Sequence, residues 1–96
     1  MKDQPRIDVI CNESSGGWVA SVTVHGPPSP TSHSVRVSPA DRALLAPSVP
    51  VESLVTASFE FLLEREPKES ILRDFDIAVI GRYFPEYARE MNIRLS

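Results

Sequence analysis

The residues of this chain whose types most often do chemistry are two histidines, one cysteine and a group of carboxylates. His25 and His33 flank a Pro-rich segment at equal distances from Ser29. Opposed directly across two strands, their Cβ atoms would lie about 4.5–5.5 Å apart, close enough to share a metal ion. The alternation of apolar residues, however, predicts that His25 points outward while His33 shares the side of the valines. Since no Cys-x-x-Cys or His-x-x-x-His spacing adds ligands, we expect no metal site.

Cys11 is the only cysteine, so it forms no internal disulfide, and this favours a reducing compartment. We expect it at the turn end of a first hairpin, whereas His25 lies at the far end of the second strand. At about 3.3 Å per residue that separation is too long for a nucleophile–base pair. Cys11 is therefore expected to be a small core-facing thiol.

Carboxylates are concentrated in the second half of the chain, at Glu60, Glu64, Glu66, Glu69, Asp74 and Asp76. Glu64 with Lys68 and Glu69 with Arg73 have the i, i+4 spacing of favourable helix pairs. This pattern is typical of a solvated charged face, whereas catalytic carboxylates need burial to separate their pKa values. Asp76 is interpreted as a helix cap. We predict no catalytic residue and no cofactor.

The charge of the chain disfavours nucleic acid as the main partner. The net charge is −3, with four basic and four acidic residues in residues 1–50 and six basic and nine acidic in residues 51–96. An acidic helical half repels a phosphate backbone. The first residues lack the apolar stretch of a signal peptide, and no apolar run reaches membrane-spanning length. We therefore expect a cytoplasmic protein that does not associate with membranes.

Strands are predicted over Arg6–Asn12, Trp18–His25 and Ser32–Val37, because apolar residues alternate there with period two. Placing the apolar residues on one face predicts pairing of Cys11 with Trp18 and of Val24 with Val35, along with Val9 with Ala20, Ile7 with Val22 and Val22 with Val37. The prediction is a three-stranded antiparallel meander with one apolar face.

Helices are predicted for the rest of the chain. Ser38-Pro39 has the residue types of a helix start, and that helix should end near Ala46-Pro47. A long helix is expected from Pro50 to Arg65, followed by one or two turns near Pro67. Further helices are expected after Asp76, up to the break at Phe84-Pro85, and from Pro85 to Met91.

Together these elements predict an α+β fold in one domain over residues 1–96. The three-stranded antiparallel meander would occupy residues 6–37 and the helical part residues 38–92. The sheet would be covered on one face by the long helix and the short C-terminal helices.

The residues with the strongest indication of partner binding are Arg82, Tyr83, Tyr87 and Arg89. Tyrosine and arginine dominate the binding energy of many protein interfaces. A competing interpretation places Phe84 and either Tyr83 or Tyr87 in the core beside the sheet.

Two resemblances extend this reading. The block Phe59–Pro67, with Glu69–Leu72 and Phe75-Asp76, resembles a block in small uncharacterised prokaryotic proteins with no known activity. The first hairpin, with Gly17–Ala20, is similar to the strands of HicB-type antitoxins. Neither resemblance implies site residues. We expect a non-enzymatic protein-interaction or regulatory module that binds another protein or its own copy, through its helical surface or its open sheet edges. The alternative is an antitoxin-like or regulatory protein that contacts nucleic acid.

Overall fold

The computed structural model describes residues 6–95, which form a four-stranded mixed sheet with helices packed on one face. In chain order the elements are strands β1 (Ile7–Ser14), β2 (Gly17–Val24) and β3 (Thr31–Val37), helices α1 (Pro39–Leu45) and α2 (Val51–Leu63), strand β4 (Asp74–Asp76), and helices α3 (Val79–Tyr83) and α4 (Tyr87–Leu95). A 3₁₀ turn at Lys68–Ser70 precedes β4.

The hairpin of β1 and β2 is closed by a two-residue turn at Ser15 and Gly16. Their φ angles of 49° and 83° are those of a type I′ turn, whose twist matches that of the two strands. This turn places Cys11 opposite Ala20. The predicted pairing of Cys11 with Trp18 was wrong by two residues, because the strands continue closer to the turn than expected. A shift of two residues keeps every side chain on its face, and the prediction of one apolar face is confirmed.

The pairing of β2 with β3 was also predicted in the wrong register. Val22 lies opposite His33 and Val24 opposite Thr31, instead of opposite Val37 and Val35. β2 continues to Val24 and β3 begins at Thr31, so the Pro-rich loop between them occupies only residues 25–30. The shift is again an even number of residues, so the faces were predicted correctly and the pairs were not.

The sheet has a fourth strand that the sequence analysis missed. β4 runs parallel to β3, with Phe75 opposite Val35, so the sheet is neither purely antiparallel nor confined to residues 6–37. Arg36 on β3 binds the Asp74 carboxylate, and its Nε donates to Asp76 Oδ1 at 2.6 Å. Asp76 is therefore a strand residue and not a helix cap. A strand of three residues is too short to show a period in the sequence.

The helix boundaries agree with the sequence predictions to within about four residues. Ser38 Oγ accepts a hydrogen bond from the Asp41 amide, as expected of the cap of α1. α2 ends at Leu63 instead of Arg65. α4 spans Tyr87–Leu95 and so continues past the predicted end at Met91.

Because α2 ends at Leu63, the predicted helical pairs of Glu64 with Lys68 and of Glu69 with Arg73 do not form. Glu64 instead pairs with Arg94 of α4, with the charged atoms 2.7 Å apart. The Lys68 side chain is buried, and its Nζ donates to the Pro27 carbonyl at 2.9 Å and binds Glu69. Lys68 thus connects the Pro-rich loop to the 3₁₀ turn.

The core lies between the inner face of the sheet and α2, which crosses it. Phe59 of α2 contacts the rings of His33 and Phe75, with centroids 5.2 and 6.2 Å away. Phe61, also on α2, contacts the ring of Tyr87 on α4, with the ring centroids 5.4 Å apart. The aromatic residues of the second half therefore join both helices and sheet into one core.

Candidate functional site

Tyr87 belongs to the core and not to the candidate surface. Its side chain is 2% exposed, and its hydroxyl donates to Ser58 Oγ at 2.6 Å, while the Ser58 hydrogen goes to the Leu54 carbonyl at 2.7 Å. Burial raises the pKa of Tyr87 well above its ordinary value. A partner cannot reach this ring without opening the core, so Tyr87 is removed from the predicted partner-binding set.

The other three predicted residues are exposed but do not form one cluster. Arg82 and Tyr83 are neighbours on α3, and the Tyr83 side chain is 68% exposed. Arg89 is exposed on α4. Its positive charge helps to lower the pKa of Glu86. Arg89 therefore lies on a different helix from the other two.

Tyr83 lies at the rim of an open cavity of about 270 Å³, here called the α3 groove. Its walls come from the end of α2, the segment before β4, β4 itself and α3. The lining residues are Leu62, Glu66, Ser70, Ile71, Leu72, Phe75, Val79, Ile80, Tyr83 and Phe84. Seven of these ten are aliphatic or phenylalanine side chains, so the groove offers an apolar surface with two polar residues and one tyrosine hydroxyl.

The sequence analysis missed Leu72, which lines the groove and is 48% exposed. It follows the buried Ile71, and two adjacent apolar residues after a turn do not reveal which one is exposed. One sequence feature is shared by the two exposed groove residues, which is that each is next to an arginine. Leu72 precedes Arg73, and Tyr83 follows Arg82.

Two arginines next to groove residues form no close ion pair with a described residue, although the charge of Arg73 helps to lower the pKa of Glu69. Arg73 and Arg82 are exposed, and neither side chain forms an ion pair with any residue in 6–95. By contrast, Arg65 at the end of α2 is held by Glu64 and Glu86, with charged atoms 3.3 and 3.2 Å apart. Glu66 is the acidic residue of the lining. Both signs of charge therefore occur at the groove: Glu66 in its lining, and Arg73 and Arg82 next to lining residues.

His33 holds the chain that leads into β4. Its Nδ1 donates to the Leu72 carbonyl at 2.7 Å, and its Nε2 accepts from the Thr31 hydroxyl at 2.8 Å. A carbonyl only accepts, so the hydrogen lies on Nδ1. Burial lowers the pKa of His33, and the charge of Arg73 also lowers it. The hydrogen bond to the Leu72 carbonyl has the opposite, smaller effect. His33 is a neutral structural residue with both nitrogens engaged.

The predicted orientations of the two histidines are confirmed. His33 is buried on the valine side, whereas His25 is half-exposed and its Nε2 lies 2.8 Å from Asp8 Oδ2 at the end of β1. Within residues 6–95, no three residues of types that ligate metals come together as a metal site.

Cys11 is half-buried at the edge of the core, as a core-facing thiol should be. Burial, together with the negative charge of Glu52, raises its pKa to about 11. A thiol with this pKa is protonated at neutral pH and is a weak nucleophile.

No family model, curated protein or solved structure matches the chain. The resemblances to small prokaryotic proteins and to HicB-type antitoxins remain predictions. Among residues 6–95, no helix has both the length and the apolar composition needed to cross a bilayer.

Proposed function

We propose that this protein is a non-enzymatic protein-interaction module whose binding site is the α3 groove. The observation that carries the proposal is the exposure of Leu72 and Tyr83 on a groove with otherwise apolar walls. Large apolar side chains exposed together around a concavity are typical of interaction sites. Tyrosine at such a rim contributes large contact area at low entropic cost.

The size and charge of the groove define the partner. Its volume of about 270 Å³ is just below the roughly 300–1,000 Å³ of sites for whole small molecules. It suits one or two bulky apolar side chains inserted from a peptide segment. Arg73 and Arg82 favour acidic residues beside that apolar anchor. The proposed ligand is thus a short protein segment with a Leu, Ile or Phe flanked by Asp or Glu.

The non-enzymatic assignment is supported by the state of the candidate catalytic groups. The Cys11 thiol is protonated and lies on β1, and both nitrogens of His33 are occupied by Leu72 and Thr31. Glu66 is a single carboxylate in the groove, with Ser70 as its polar neighbour. None of these forms a nucleophile–base pair.

The experiment is selection of short random peptides displayed on phage against three immobilised proteins: wild type, Leu72→Glu and Leu44→Glu. Leu44 is 69% exposed on α1 and outside the groove, so its variant carries the same charge change as a matched control. We expect wild type and Leu44→Glu to enrich peptides with an apolar anchor flanked by acidic residues. Leu72→Glu should lose them, because its carboxylate both repels acidic flanks and makes the groove wall polar.

Peptides that bind wild type and Leu72→Glu equally well would show that the groove is not the site. Failure to enrich any common sequence would also contradict the proposal. Synthetic versions of the enriched peptides should bind more weakly to Arg82→Ala, because a favourable charge is removed.

The nucleic-acid alternative has one observation in its favour: Arg73, Arg82 and Arg89 are exposed, and Arg82 is next to the exposed Tyr83. A mixed-sequence RNA or DNA oligonucleotide tests it. Binding that falls steeply with salt and is weakened in Arg82→Ala would favour this alternative, because phosphate contacts release counterions. Under the main proposal, the oligonucleotide does not bind.

A further inference from the structure

β1 is an open edge of the sheet, and its protection is limited to the two charged side chains Asp8 and Glu13. It runs through eight residues, Ile7–Ser14, with no proline or lysine, and its register with β2 is uninterrupted. Within the part of the chain that the structure describes, no strand pairs with the outer side of β1. Such edges are templates for pairing with another strand, and proteins usually shorten, charge or interrupt them. A long, regular edge of this kind is therefore a candidate site for pairing with a strand of another chain.

The backbone groups that point outward can be identified. The His25 amide donates to the Arg6 carbonyl at 2.9 Å, so this opposed pair is hydrogen-bonded. In an antiparallel ladder hydrogen-bonded and non-hydrogen-bonded pairs alternate. Even-numbered residues of β1 are therefore bonded to β2. The N–H and C=O groups of Ile7, Val9, Cys11 and Glu13 point away from the sheet.

The sequence of β1 is complementary to itself when two copies run antiparallel about Ile10. Val9 then lies opposite Cys11 of the copy, Asp8 opposite Asn12 and Ile7 opposite Glu13. No two like charges oppose each other. The odd-numbered residues meet as hydrogen-bonded pairs, which satisfies the outward groups of both strands.

Ile10 itself supports this register. Its side chain is 64% exposed on the outer face of the sheet, in the middle of β1. In the self-paired arrangement Ile10 faces its own copy in a non-hydrogen-bonded pair, where Cβ atoms lie about 4.5–5.5 Å apart. The most exposed apolar side chain of the sheet is thereby covered by an identical one. On the inner face, the half-buried Val9 and Cys11 gain each other as apolar neighbours, whereas Ile7 lies opposite Glu13 of the copy.

We propose that β1 is a dimerisation edge, at which two copies of this chain pair antiparallel about a two-fold axis at Ile10. The four strands of each copy would join into one sheet of eight. The opposite edge is unsuited to this, because β4 has three residues. The α3 groove lies beside β4, so dimerisation leaves it open and does not depend on the proposed function.

Sedimentation velocity over a range of concentrations tests the dimer. Wild type should sediment as a dimer, and Ile10→Lys should raise the dissociation constant by at least about tenfold, because two lysines then oppose each other. Leu44→Lys makes the same change at an equally exposed position of α1 and should leave the constant unchanged. Both positions are exposed, so the variants keep the circular dichroism of the fold.

Cysteine crosslinking tests the register. In a Cys11→Ser background, Ile10→Cys places two thiols in a directly opposed pair, with Cα atoms about 4.5 Å apart, within the range of a disulfide. Asn12→Cys in the same background is the control, because the two thiols are offset by four residues, about 13 Å. Oxidation should crosslink the first variant and not the second.

Three results would overturn the proposal. One is a wild type that remains monomeric at every concentration. Another is a dimer whose dissociation constant is the same in Ile10→Lys as in Leu44→Lys. The last is crosslinking at position 12 that is as fast as at position 10, because this would place the axis elsewhere.

Discussion

The two edges of the sheet are built by different interactions. β1 is eight residues long and reaches its neighbour through a two-residue turn, so its pairing is local. β4 is three residues long and pairs in parallel with β3, which lies 40 residues earlier where Val35 meets Phe75. Parallel neighbours need a long crossover connection, and here α1 and α2 supply it.

β4 is held in the sheet by side-chain contacts with distant residues and not by a tight turn. Phe75 is buried beside Phe59, His33 binds the Leu72 carbonyl, and Arg36 binds both aspartates of β4. The comparison teaches that turn chemistry determines one edge and contacts between distant residues determine the other. The two edges should therefore respond to different substitutions.

The largest expected effect is at Phe75. Phe75→Ala should reduce the free energy of unfolding by about 3–5 kcal/mol, because it removes a buried ring and leaves a cavity. Val9→Ala at the β1 edge should cost clearly less, since Val9 is only half-buried. Urea denaturation of both variants measures the difference. Equal losses would show that the two edges depend on the core to the same extent.

His33→Gln should have the next largest effect, about 1–3 kcal/mol, because it disturbs a buried hydrogen-bonded group. Amide exchange should rise first at Ser34 and Ile77, whose N–H groups bond across the β3–β4 ladder. Ser32→Ala changes an exposed residue of the same strand and is the control. Faster exchange in β1 than in β4 would contradict the role given to His33.

The same variant tests a pH dependence. The pKa of His33 is lowered from 6.5 in the folded state, so below that pH the unfolded chain binds more protons than the folded one. Its contribution to stability is complete above pH 6.5 and is lost as the pH falls from 6.5 towards the folded pKa. His33→Gln should flatten this part of a stability-versus-pH curve, whereas Ser32→Ala should keep it.

Gly16→Ala tests the other edge. The φ of Gly16 is 83° and an added Cβ would meet nothing within 4 Å, so the cost is backbone strain alone, about 1–2 kcal/mol. Gly81→Ala is the matched control: it lies in α3, where the new Cβ makes ordinary contact with Tyr87 and should stabilise by roughly 0.5–1 kcal/mol. Thermal unfolding compares the two. A neutral Gly16→Ala would show that the turn does not determine the β1 register.

The smallest effect is expected at Arg36. Arg36→Met removes the exposed ion pairs to Asp74 and Asp76, and exposed pairs contribute little. Its small drop in melting temperature should disappear at about 1 M salt, where charges are screened beyond roughly 3 Å. A large drop that persists in salt would mean that these contacts, and not Phe75, determine the position of β4.

Much of the local structure could be predicted. Ser38 caps α1 as its residue type indicates, and Phe84 ends α3 before Pro85. The alternation of Ala20, Val22 and Val24 identified the buried face of the sheet. These features depend on hydrogen bonds and periodicity within a few residues, so a short window of sequence contains the information.

The candidate site was predicted only in part. Arg82 and Tyr83 were candidates, and both are exposed, but the sequence could not decide between Tyr83 and Tyr87. The two have the same chemistry and lie four residues apart. Tyr87 is buried because Ser58 and Phe61 of α2 lie beside it, whereas the Leu72 side chain is exposed and only its backbone carbonyl is bonded to His33.

By itself the sequence determined β1, β2 and β3 and their faces, the start of α1 and the end of α3, because these follow from residue type and period. Only the tertiary structure decided the register of β3 on β2, the existence of β4, the burial of Tyr87 and the formation of the α3 groove. The physical reason is that, for each of these features, alternative arrangements have similar local energies. Packing of Phe59, Phe61 and Phe75 between distant segments selects one of them.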